Sequence, residues 1–162
     1  MTNQDLRSRF VEMGFQDVAT FRASGNVIFD ATGRASEIAR RVEAELERSL
    51  GYEVPTFLRT APQVRAIADH QPFDPKLVAA SKGKLQVAML PARPTKPKRD
   101  AVLAMATNED KLAIRDRELY WLPSGGTVDS ALDLNALANA LGPWTMRTKA
   151  TIAQIAVKHF GV

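Results

Sequence analysis

The chain has no cysteine. That excludes a disulfide framework, a thiolate metal site and a cysteine nucleophile. Histidine is scarce as well, with only His70 and His159 among 162 residues. A structural zinc site normally takes four Cys or His ligands, so no metal is expected and no other cofactor is implied. No apolar run approaches the ~20 residues that span a bilayer. The first residues also lack the basic-then-apolar layout of a signal peptide, which places the chain in the cytoplasm and away from membranes. There is no phosphate-binding loop, because Ser124-Gly125-Gly126 lacks the Gly-Lys-Ser/Thr ending that holds phosphate and magnesium. Acids are missing from one long stretch. Between Asp74 and Asp100 there is none, while Lys76, Lys82, Lys84, Arg93, Lys96, Lys98 and Arg99 accumulate.

The net charge of +4 is therefore uneven. Residues 1–80 hold 10 Lys+Arg against 11 Asp+Glu, and residues 81–162 hold 12 against 7. Such a basic half attracts polyanions, although charge runs also serve solubility. A hydrophobic content of 45% with 25% charged residues is that of an ordinary globular protein long enough to bury a core.

The stretch that organises the first half is Phe21-Arg22-Ala23-Ser24-Gly25-Asn26-Val27-Ile28-Phe29-Asp30. Val18 to Phe21 and Val27 to Phe29 are apolar runs around residues that tolerate positive φ, which predicts a β-hairpin. Before it, Thr2 and Asp5 form a capping box for a helix carrying Leu6, Phe10 and Met13, stopped at Gly14. After it, Ile38, Val42, Leu46 and Leu50 make the apolar stripe of a second helix ended by Gly51. Glu53 to Arg59 is expected as an edge strand, because Pro55 cannot donate to a ladder. Thr60 opens a short helix with Pro62 in its first turn, and residues 73–83 read as a connection.

In the second half, Leu85, Val87 and Met89 alternate in a strand. A proline-stiffened loop leads to a helix near Thr95, and a hairpin turns around Arg115-Asp116-Arg117-Glu118. A helix over Leu134 to Leu141 stops at Gly142, a short strand lies near Trp144 to Arg147, and a last helix starts near Thr148. The order predicts an α+β protein of two ferredoxin-like βαββαβ halves, residues 1–80 and 81–162, the first lacking its opening strand. In the strand order fourth, first, third, second, that absent strand is central. The gap is expected to be filled from the second half or by a partner chain, giving a homodimer through an unpaired sheet edge.

Met13-Gly14-Phe15, Asp17-Val18 and the hairpin Phe21 to Phe29 resemble the domain-of-unknown-function 1697 family of uncharacterised bacterial proteins. Its hairpin reads as an aromatic residue, two variable positions, Ser-Gly-Asn-Val and then a hydrophobic residue and Phe. Gly51-Tyr52-Glu53-Val54-Pro55, Pro72-Phe73 and Arg117-Glu118-Leu119-Tyr120 extend the resemblance. Ser124-Gly125-Gly126 and Thr145-Met146-Arg147 sit where the family has a Gly-rich loop and a Thr-x-Arg-Asn segment. Three departures stand out. The family's opening strand and Arg-Gly-Ile-Asn-Val-Gly-Gly-like loop are absent, Ser130-Ala131 replaces Ser-Lys, and Arg147-Thr148-Lys149 replaces Arg-Asn-Trp.

Several residues are candidates for chemistry. Thr145, Arg147, Thr148 and Lys149 cluster at a helix start, where free N–H groups and the dipole favour an anion. Cations usually avoid that position, so an anion between them would explain their presence; the competing reading is a Thr148 cap with both cations in water. Arg22, Ser24 and Asn26 fall on one face of a straight strand, although Ser and Asn also serve turns. His70 follows Asp69, an arrangement that can orient a general base but also marks a plain helix end. His159 lies on the apolar stripe of the last helix. Tyr120 and Trp121 beside Arg117 offer base stacking from whichever of the two points outward. The reading that follows is a non-enzymatic binding protein for an anionic small molecule or a nucleic acid. The alternatives are a small metal-independent enzyme acting on a phosphorylated or carboxylated metabolite, and a shortened interaction module.

Overall fold

The computed structural model describes residues 1–22, 25–125 and 130–161. The chain divides into an N-terminal unit, Met1–Leu58, and a C-terminal unit, Arg59–Val162. The division falls after Leu58 and not between residues 80 and 81, because the helix over Ala61–Asp69 packs with the last helix of the chain.

In the N-terminal unit the order is α1 (Asn3–Glu12), β1 (Gln16–Phe21), β2 (Asn26–Asp30) and α2 (Ala35–Leu50). Thr2 and Asp5 form the expected capping box, and Gly14 turns the chain at φ +89°. The hairpin forms with antiparallel pairing from Thr20–Val27 and Phe21–Asn26 outward. Gly25 takes the positive φ that the turn requires, and Arg22 also has a positive φ. Asn26 stays extended and closes the turn with its side-chain amide on the Phe21 carbonyl at 3.0 Å. Ile38, Val42 and Leu46 of α2 bury one stripe against Phe10, Phe15 and Val18. Val27 and Phe29 face that core as expected, and the rings of Phe10, Phe15 and Phe29 pack in tilted pairs with centroids 4.6–5.9 Å apart.

The expected strand over Glu53 to Arg59 does not form. Among the described residues it pairs with neither strand of the β1–β2 ribbon, and Pro55 lacks a donor. The segment instead packs Val54 and Leu58 on the same core, held by a 2.9 Å bond from Thr56 N–H to the Glu43 carboxylate. Among the described residues the unit has a two-stranded ribbon and not the sheet of a complete ferredoxin-like half.

The C-terminal unit runs α3 (Ala61–Asp69), α4 (Pro75–Ala80), β3 (Gln86–Met89), α5 (Lys96–Leu103), β4 (Lys111–Arg115), β5 (Glu118–Leu122), α6 (Leu134–Leu141), β6 (Thr145–Thr148) and α7 (Lys149–Phe160). Its antiparallel sheet has the order β4-β5-β3-β6. Counted within β3-α5-β4-β5-α6-β6, this is the order fourth, first, third, second of a βαββαβ unit. Helix α4 was expected as connection; Asp74 caps it through Lys76 N–H at 2.8 Å, and Pro75 occupies its first turn. Ala88, Leu119, Trp121 and Ile114 share one sheet face with Val102 of α5 and Leu137 of α6. On the opposite face Tyr120 meets His70 at the end of α3, ring centroids 5.0 Å apart. Because both faces are covered, β3 and β5 are buried throughout and show no in-out alternation. Tyr120 and Trp121 are each 1% exposed, so neither points outward as the stacking idea required.

A buried polar network anchors the sheet's surroundings. The Asp110 carboxylate, 2% exposed, accepts from Trp121 Nε1 at 3.0 Å and from Ser130 Oγ at 2.7 Å through the same oxygen. Gly83 is needed where it stands, since a Cβ there would strike the carbonyl oxygens of Pro123 and Gly125.

Candidate anion-binding cleft

A cleft of about 360 Å³ lies within the C-terminal unit, lined by Arg59, Gln63, Ala66, Arg93, Asp116, Arg117 and Glu118. Local sequence explains each placement. Thr60 and Gln63 form a capping box, with the Gln63 carbonyl oxygen accepting from Thr60 N–H at 2.8 Å, so α3 starts sharply beside Arg59. The two-residue hairpin between β4 and β5 puts Asp116 at φ +52° and carries Arg117 at its tip. Arg93 comes from the proline-stiffened loop after β3.

The floor is an ion pair. Arg59 donates from Nε to Oε2 of Glu118 at 3.2 Å, its NH2 lies 3.1 Å from the same oxygen as an ion pair, and the two side chains are 6% and 10% exposed. NH2 also donates to the carbonyls of Leu90 and Arg117 at 3.0 and 3.1 Å. Burial pushes the Glu118 carboxyl up and the Arg59 guanidinium down, and each partner's charge opposes the other's shift. The Arg117 guanidinium further lowers Arg59 by repulsion. The cleft thus gathers three guanidiniums against two carboxylates. It sits in a unit with 15 Lys+Arg against 9 Asp+Glu, whereas the N-terminal unit holds 7 against 9.

His70, the C-cap of α3, lies on the covered face beside this region. Its partner is Arg115, whose NH1 donates to Nδ1 at 2.9 Å, and not the adjacent Asp69. Accepting on Nδ1 leaves the ring neutral with its proton on Nε2. Burial is the main cause that lowers its pKa, helped by the Arg115 and Lys149 charges.

The residues singled out at the last helix are brought together only in part. Thr145 and Arg147 share a face of β6, and Arg147 NH1 donates to Thr145 Oγ1 at 2.7 Å and to the Met146 carbonyl at 2.9 Å. Burial lowers the Arg147 pKa. Thr148 falls on the other face and caps α7, its hydroxyl accepting from Thr151 N–H at 3.2 Å. Lys149 N–H donates to the Leu85 carbonyl at 2.9 Å, extending the ladder onto β3. Its ammonium donates to the Ala68 carbonyl at 2.7 Å, in the last turn of α3, where the dipole favours a cation. A helix end from α3 therefore explains why a cation is tolerated at this helix start. In the hairpin, Arg22 lies over the Phe21 ring at 5.5 Å and its carbonyl accepts from Asn3 Nδ2 at 2.8 Å. Asn26 closes the turn, and Ser24 lies outside the described residues.

Sequence reading missed the cleft because its residues are spread over residues 59–118 and no local pattern joins them. The usable signal was the acid-free run containing Arg93, followed by the Arg-Asp-Arg-Glu turn.

Elements and sheet order define an α+β protein with antiparallel sheets, and no described helix is long and apolar enough to cross a membrane. Within that class, the chain belongs to the family described as "Protein of unknown function (DUF1697)", whose model matches residues 1–120. Every residue lining the cleft falls inside that span. A solved structure described as that of the conserved bacterial protein SP0830 from Streptococcus pneumoniae is similar in fold. It shares 14% identity at a TM-score of 0.67, over 97% of this chain and 88% of that one. None of the curated proteins matches the chain.

Proposed function

We propose that this chain is a non-enzymatic binding protein for a small anion, held by Arg93 and Arg117 above the Arg59–Glu118 pair. The observation that carries the reading is the convergence of three guanidiniums on one concavity of about 360 Å³, within the size range of small-molecule sites. Guanidinium forks match carboxylate and phosphate oxygens, and an anion on Arg93 and Arg117 offsets the repulsion that the Arg117 charge exerts on Arg59. A small molecule is favoured over a nucleic acid, because both candidate stacking rings, Tyr120 and Trp121, are buried. The unit's excess of cations then serves to steer the anion.

Calorimetric titration with inorganic phosphate at low salt tests the reading. Arg117→Ala and Arg93→Ala should each weaken binding by roughly tenfold or more, as expected for losing a hydrogen bond to a charged group. Affinities equal to the parent's in both variants would remove the cleft as the anion site.

A further inference from the structure

The floor of the cleft is chemically lopsided. Two contacts between Arg59 and Glu118 converge on Oε2, a hydrogen bond from Nε at 3.2 Å and an ion-pair approach of NH2 at 3.1 Å, and Oε1 receives neither. Glu118 nevertheless lines the cleft, and Asp116 brings a second carboxylate to the rim from the β4–β5 turn. A ligand that is only an anion meets Arg93 and Arg117 well but sets its charge against these two carboxylates. A group on the ligand that donates hydrogen bonds and carries positive charge would satisfy Glu118 Oε1 and turn that repulsion into attraction.

We propose that the cleft binds a small zwitterion, its phosphate or carboxylate on Arg93 and Arg117 and its protonated amine on Glu118 Oε1 and Asp116. This rests on the anion-binding reading and adds the ligand's second pole. The arrangement favours amino-bearing anions over simple ones.

The test compares two soluble probes, ethyl phosphate and O-phosphoethanolamine, titrated calorimetrically into the whole chain at pH 7 and low salt. Anion attraction alone ranks ethyl phosphate first, because phosphoethanolamine carries less net negative charge. The zwitterion site reverses the order, with phosphoethanolamine binding at least tenfold tighter. Glu118→Gln should abolish the preference while ethyl phosphate binds as well as before or better. Since that substitution touches a buried pair, Asp116→Asn at the exposed turn provides a second variant, expected to narrow the preference with the fold intact. Equal or weaker binding of phosphoethanolamine by the parent overturns the zwitterion proposal and leaves the anion reading standing. A preference that survives in Asp116→Asn and in folded Glu118→Gln overturns it too. Binding of neither probe overturns both.

Discussion

The two units solve the same packing problem with different amounts of sheet. The C-terminal unit completes a four-stranded antiparallel sheet with helices against both faces, and β3 and β5 are buried from end to end. The N-terminal unit has a two-stranded ribbon whose β2 residues are mostly half-buried. A lone hairpin is marginal in water, so its order must come from what packs on it. Here that is α2 with the ring cluster of Phe10, Phe15 and Phe29. The contrast teaches that a segment of strand-like composition needs a partner: among the described residues the stretch after α2 pairs with neither strand of the ribbon and packs Val54 and Leu58 on the core instead.

The largest effects should separate the two cores. Trp121→Ala empties a fully buried site on the central sheet and should cost about 3–5 kcal/mol in urea unfolding. Phe29→Ala removes a half-buried ring and should fall at or below the lower end of that range. A larger loss for Phe29→Ala would invert the comparison and make the ring cluster the stronger core.

Next in size is the buried carboxylate. Asp110→Ala strands the Trp121 indole N–H and the Ser130 hydroxyl, and should cost roughly 1–3 kcal/mol. Asp110→Asn keeps an acceptor and should lose less. If the alanine and asparagine variants unfold at the same urea concentration, the acceptor is not what matters at this position.

The smallest effect concerns His70. Its folded pKa lies below the ordinary 6.5, so the unfolded chain takes up the proton first as pH falls. The stabilisation is present above about pH 6.5 and is lost as pH falls through the folded pKa. His70→Gln, which keeps an acceptor for Arg115, should therefore show less loss of stability between pH 7.5 and 5 than the parent. Parallel pH profiles for the two proteins would show that His70 does not titrate in this way.

Much of this architecture was legible in local chemistry. The capping box at Thr2, the helix start at Thr60, the stop at Gly51 and the turn at Gly25 act within a few residues, and all appear where the sequence puts them. So does the hairpin over residues 111–122, because apolar strands flank a two-residue polar turn. Helix α4 replaces the connection expected over residues 73–83, because Asp74-Pro75 is a cap followed by a first-turn proline. The expected strand over 53–59 does not form, because composition reports a preference for extended backbone, whereas a strand needs a partner. The site was harder to read. Thr148 and Lys149 looked like an anion cradle because the Leu85 and Ala68 carbonyls that engage Lys149 lie far away in sequence. The cleft required Arg59 and Glu118 to meet across 59 residues, and no local pattern announces that.

The most direct test of the account is a map of where an anion lands. Backbone amide shifts of the whole chain, followed while inorganic phosphate is added at low salt, compare the two units in one experiment. The cleft predicts saturable shifts at Arg93, Arg117 and Glu118, with the hairpin residues Arg22 and Asn26 unmoved. Saturable shifts at the hairpin or at Thr145–Thr148, with the cleft silent, would contradict it.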